Sequence, residues 1–181
     1  SIPGLSYIEV GSRPIAVASS TDGTAAYTLN SVGGDLSVVD LWRLERVDDP
    51  DTPIAVPGQP VAMATAPGDE PAGQIAVVTH APDAIWLRDG VRCEETSGEC
   101  TGLTAEATQI PLPGRPADIE VSVDGSVAYV VYGNRDYMSV LALPGNADVL
   151  DREGFACRGG RTGVPCEAKR FGLTYGCSDG V

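Results

Sequence analysis

An all-β chain of short antiparallel strands in groups of four is what this sequence predicts, on three observations. From Arg115 to Ala142, Ile119, Val121 and Val123 alternate with Glu120 and Ser122, Asp124-Gly125 marks a turn, and Val127 to Tyr132 and Met138 to Leu143 form two further apolar runs. That pattern is three strands in about thirty residues. The same unit occurs earlier: with Pro14 over Pro116, Asp22-Gly23 falls on Asp124-Gly125, Tyr27 on Tyr129, and Ser37-Val38 on Ser139-Val140 without a gap. A third copy starts at Gln59-Pro60, with Val61 to Thr65, a longer turn, Ile75 to Thr79, and Ala84 to Leu87. Finally, an isoleucine stands six residues ahead of each proline, Ile8 with Val10, Ile54 with Val56, and Ile110 with Leu112, which places a fourth strand ahead of each unit.

Short antiparallel strands repeated in fours are the signature of β-propeller blades. Taken in order, Tyr7 to Val10 is the first expected strand. Blade one covers residues 13–56, and its third and fourth strands are joined by WRLERVDDPDTP, where Asp48 to Asp51 with Pro50 and Pro53 forbids regular structure. Trp42 and Leu44 are expected to cover the blade edge or to pack in the core. Blade two covers residues 60–112 and is longer than blade one because of two loops, at Ala66 to Gln74 and Arg92 to Leu103, where insertion costs little. Blade three covers residues 116–143 and is the most regular. Residues 144–181 form a cysteine-bearing insertion, after which Phe171, Leu173 and Tyr175 alternate as the expected last strand of blade three.

Tyr-Thr-Leu-Asn at Tyr27 to Asn30, followed by Gly34 to Asp40 (GDLSVVD), resembles the YVTN family of propellers. The stretch from Tyr129, with Met138 to Leu141, is similar but has Tyr132 in the asparagine position, and the second copy keeps only the apolar pattern. The resemblance covers roughly residues 7 to 143. It implies the propeller fold, and a role among surface-layer proteins, lactonase-like hydrolases or modules attached to redox enzymes. A closed ring needs about four blades or more. Three are therefore expected to be completed by further chain, by another copy or by another protein.

Twelve basic against 25 acidic residues give a formal charge of −13, which repels nucleic acid and anionic membranes. No apolar run reaches the length of a membrane span. The chain starts at Ser1 without a charged and apolar leader, compatible with a signal segment already removed. Five cysteines in a loop-rich chain point to an oxidising compartment, secreted, periplasmic or at the cell surface. Cys93 with Cys100, and Cys157 with Cys166, bracket polar glycine-containing loops and are expected as disulfides. Zinc would call for C-x-x-C knuckles or nearby histidines. Cys177 is left over, to bond outside these 181 residues or to remain a buried thiol.

The chemistry-bearing candidates are sparse. His80 is the single histidine, which rules out a multi-histidine centre within the sequence, and it reads as a turn residue near Asp83 or as a lone general base. Arg13, Gln59 and Arg115 precede the matching prolines. In YVTN-like propellers this connection faces a mouth of the central channel, so the three are expected to ring it, bind an anion or carboxylates, or pair with acids between blades. Asp118 is the carboxylate placed for a channel cation, but its counterparts are Ala16 and Ala62. No haem-attachment motif or glycine-rich phosphate loop occurs, so no cofactor is expected. The role these features favour is binding or assembly, with a channel-metal hydrolase or a redox accessory module as alternatives.

Overall fold

Apolar residues at alternate positions of short segments, separated by turn residues, fold here into three antiparallel sheets. The structure is a computed structural model that describes residues 7–143 and the backbone of residues 168–171 and 174–177. No helix occurs among them. Sheet one is a meander of β1 (Pro14–Ser19), β2 (Ala25–Asn30) and β3 (Asp35–Asp40), with β4 (Glu45–Arg46) and β5 (Ile54–Ala55) both on the outer side of β3. Sheet two runs β6 (Gln59–Ala66), β7 (Gln74–His80) and β8 (Ala84–Asp89). The chain then makes a ribbon of β9 (Arg92–Cys93) and β10 (Cys100–Thr101) before β11 (Thr108–Pro111) returns to pair with β8. Sheet three runs β12 (Pro116–Val121), β13 (Val127–Tyr132) and β14 (Met138–Ala142). It is completed by the hairpin of β15 (Ala168–Phe171) and β16 (Thr174–Cys177), with β16 against β14.

The three prolines occupy one structural position. Pro14, Pro60 and Pro116 pair with Asn30, Thr79 and Tyr132, one residue then bulges out (Ile15, Val61, Ala117), and pairing resumes at Ala16, Ala62 and Asp118. Each proline lies at or next to the start of a strand that pairs on one side only, where a missing N–H removes no ladder bond. These first strands lie side by side, β1 against β6 and β6 against β12. The sheets therefore fan out from a shared inner line, consistent with part of a propeller.

Two turns are also built alike. Ser20 Oγ donates to Asp22 Oδ1 at 2.6 Å, which also accepts from Thr24 N and Oγ1, and Gly23 takes φ 73°. Ser122 Oγ donates to Asp124 Oδ1 at 2.6 Å, which also accepts from Ser126 Oγ and N, and Gly125 takes φ 72°. These bonds, the Ser122 hydroxyl first, hold the Asp124 carboxyl down at about 2. Burial opposes ionisation of Asp22, yet the Ser20 hydroxyl and the Thr24 donors together still lower its pKa.

The core lies between sheets. One cluster joins Tyr27, Leu29, Leu36 and Val38 of sheet one to Ile75 and Val77 of sheet two. The other joins Ala76, Val78, Ile85, Leu87 and Ile110 of sheet two to Ile119, Val130, Tyr132 and Leu141 of sheet three. Sheet two is buried on both faces, so β7 reads as the continuous apolar run Ile75 to Val78.

Three expectations are corrected. Tyr7 to Val10 is not a strand: Tyr7 is exposed, and the segment is tied down where Gly11 N donates to Ser37 Oγ at 2.9 Å. Trp42 and Leu44 do not cover the edge or enter the core but stand about half exposed in the turn after β3. The edge is covered instead by a strand broken in two, β4 and β5. Between them the buried Asp48 carboxylate accepts the Val38 N–H at 2.7 Å, in place of a backbone carbonyl, and is held by Arg46. The single strand expected over Phe171, Leu173 and Tyr175 is replaced by the β15–β16 hairpin. The Cys157–Cys166 pair lies outside the described residues, and of Cys177 only its place at the end of β16 is described.

Candidate functional site

Three regions are the candidates for function: the inner ends of the sheets, the seam between sheets one and two, and the two outer faces of the array. At the inner ends the bulged prolines bring Gln59, His80, Arg115 and Pro116 together. Gln59 is paired with His80 across β6 and β7. His80 Nε2 lies 2.7 Å from the Pro116 carbonyl, and Arg115 Nε donates to His80 Nδ1 at 3.3 Å. A carbonyl on one side and an N–H on the other require the tautomer with its proton on Nε2. His80 is therefore a link from sheet two to sheet three rather than a free turn residue, and its partner at Arg115 replaces the expected acid. The ion pairs among the described residues are Arg43–Asp40, Arg46–Asp48 and Arg92–Glu94, all local in sequence. Arg13 stands apart, exposed at φ 58°, with its carbonyl accepting from Ser31 N and Oγ.

Asp118 does not fit a channel cation site. It is exposed, its Oδ1 accepts the N–H of the next residue, Ile119, at 2.9 Å, and the register-matched positions are Ala16 and Ala62. Among the described residues, metal-type donors converge at Asp40, Cys93 and Cys100. The two sulfurs there are joined in the expected Cys93–Cys100 disulfide across the β9–β10 ribbon, so no thiolate remains as a ligand. The Asp40 carboxylate accepts from Trp42 N, Arg43 N and Arg43 Nη1. Those bonds outweigh burial and lower its pKa.

The disulfide ribbon is instead part of the seam. Arg43 reaches from sheet one to the carbonyls of Glu94 and Glu95, and Cys93 N donates to Thr24 Oγ1 at 3.1 Å. At the centre of the seam Tyr27 Oη accepts from Val91 N at 2.8 Å and donates to Val91 O at 3.1 Å. Both residues are fully buried, and burial raises the Tyr27 pKa, with the negative charge of Asp22 adding to it. Sequence reasoning aligned Tyr27 with Tyr129 but did not find this role. Its partner is a backbone amide 64 residues away, for which no side-chain pattern exists.

The outer face of sheet three is in part an exposed copy of a buried one. Tyr129, Val131, Met138 and Val140 hold the register positions of Tyr27, Leu29, Leu36 and Val38. Leu29 and Leu36 are 0% and 1% exposed in the seam, whereas Val131 and Met138 are 45% and 51% exposed. At the other end, Val17 holds the position of Ile119 and is 75% exposed against 3%. The rest of that sheet-one face is covered within the chain: Asn30, Ser37 and Val39 are buried, and Gly11 N donates to Ser37 Oγ.

No model of a known protein family matches the chain, and no curated protein matches it. What the geometry defines is a class: an all-β array of antiparallel sheets stacked face to face, without a closed barrel among the described residues.

Proposed function

We propose that this chain is an exported binding or assembly module, a YVTN-like propeller segment that works by packing one of its outer faces against another protein surface. The observation that carries this is the sheet-three face, where Tyr129, Val131, Met138 and Val140 repeat in register the residues that sheet one buries against sheet two. Apolar side chains left half in water at a face built like an interior seam favour association. The Cys93–Cys100 disulfide supports an oxidising compartment, and none of the described residues forms a helix long and apolar enough to cross a membrane. In the module, Arg13, Gln59, Arg115 and Asp118 line the inner mouth, where the two arginines favour anionic groups.

The test is binding of an environment-sensitive apolar dye in dilute solution. The wild-type chain is expected to bind it, and Val131→Asp or Met138→Asp to lose most of the signal while keeping the far-UV circular dichroism of the folded protein. A monomeric wild-type chain that binds no dye, or variants that unfold, would show that the face is not an open one.

A further inference from the structure

We infer that residues 144–167, the connection from β14 to β15 outside the described range, cross the outer face of sheet three and pack on the end of it that bears Val127 and Ala142. The inference is separate from the assembly reading, which concerns the opposite end of that face, at Val131 and Met138. It starts from strand direction. β14 and β15 each belong with β16, which lies between them and pairs antiparallel with both, so β14 and β15 run parallel. A hairpin cannot join parallel strands: the chain must return from the end of the first to the start of the second, which takes about a dozen residues or more. Residues 144–167 supply that length. The return spans about 20 Å, the length of β14 along the sheet and two strand spacings across it.

Handedness decides which face the return passes over. Leu143 N donates to Ser126 O at 3.0 Å, so the backbone groups of Leu143 and, by alternation, Leu141 point toward β13, and those of Val140 and Ala142 point toward β16. Val140 shares the outer face with Tyr129, whereas Leu141 faces sheet two. On a strand running upward, an L-residue seen side chain foremost turns its N–H and C=O to the viewer's right. Seen from the outer face, β16 and β15 therefore lie to the right of an upward β14. A right-handed crossover in that direction passes in front, over the outer face, and nearly all crossovers between parallel strands have that hand. A left-handed one would meet the face where Ile119, Val130 and Leu141 already pack against sheet two. Burial agrees. Along the outer face exposure falls from 51% at Met138 and 45% at Val131, through Val140 and Tyr129, to 3% at Val127 and 0% at Ala142. Those last four residues form a cluster that contains no residue of another described sheet, and the chain leaves β14 at the buried end. Charge agrees as well: Asp118 and Glu120 stand exposed on the first strand of this face, and residues 154–166 carry Arg158 and Arg161 and no acid.

The test is photocrosslinking of the full chain, diluted until it is monomeric, with the products mapped by mass spectrometry. Tyr129→p-benzoylphenylalanine is expected to crosslink within one molecule to peptides from residues 144–167. Val17→p-benzoylphenylalanine, exposed on sheet one, is expected to give no such product. The apolar dye supplies a second measurement, made in the Val131→Asp chain so that the open end of the face no longer binds it. Replacing residues 145–166 there by glycine and serine over the same length uncovers Val127 and Ala142 and is expected to raise the dye signal. Absence of an intramolecular crosslink from Tyr129 to residues 144–167, or a dye signal unmoved by the replacement, would overturn the inference. The expected crosslink in a chain whose dye binding is untouched by Val131→Asp would uphold it and overturn the assembly reading.

Discussion

Tyr27→Phe isolates one polar contact in the seam between sheets one and two. The ring stays and no cavity forms, but the hydroxyl that accepts from Val91 N at 2.8 Å and donates to Val91 O at 3.1 Å is removed. Val91 is fully buried, so water cannot replace the hydroxyl. An unsatisfied buried N–H costs about 1–3 kcal/mol, and the carbonyl adds a smaller amount, giving about 2–4 kcal/mol in all. For a chain of this size that is a fall of about 4–16 °C in Tm. In urea the midpoint should drop without a change in slope, since the surface exposed on unfolding is the same. Tyr129→Phe is the matched control: it removes the same atom at the same register position from the outer face of sheet three, where no buried backbone partner meets it among the described residues. It should change stability by less than about 0.5 kcal/mol. Equal losses at both tyrosines, or a loss below about 0.5 kcal/mol at Tyr27, would refute the assignment of the seam bond. Wild type carries a linked pH signature. Its raised Tyr27 pKa gives stability that is complete below about 10 and is lost as pH rises from there through the folded value, and Tyr27→Phe should remove that loss.

The Asp124 carboxyl, held at about 2, contributes stability that is present above the ordinary aspartate range and is lost as pH falls toward 2. A carbon-13 titration should show Asp124 ionising below the exposed aspartates, and Ser126→Ala should move it up. Cys93→Ser with Cys100→Ser should cost about 2–3 kcal/mol from the freed loop, read as a lower urea midpoint that reductant reproduces in the wild type. Gly23→Ala, at positive φ with open space around it, should cost about 1 kcal/mol. Gly125→Ala should cost about 2–4 kcal/mol, because its new methyl group meets the Pro67 carbonyl just after β6.

The strand pattern was legible because a strand half buried or sandwiched in a seam writes its period into its side chains. Pro14, Pro60 and Pro116 share one register position, since a proline in a sheet is confined to the few places that need no N–H. The Cys93–Cys100 pair was legible from the short polar loop between the two residues. Signals carried by backbone groups left no trace in the sequence. The Val91 amide that binds Tyr27, the Pro116 carbonyl beside His80, and the Val38 N–H that turns Asp48 into part of a sheet edge are the same chemical group at every residue. Only the folded path of the chain decides which side chain meets them. Exposure was hidden for the same reason. Val131 and Leu29, or Val17 and Ile119, are interchangeable in a sequence pattern, and whether each is core or surface depends on whether another sheet stands against it. The sequence by itself determined which residues could form a seam. The tertiary structure decided which seams are filled, because burial belongs to the pair of faces in contact and not to either strand alone.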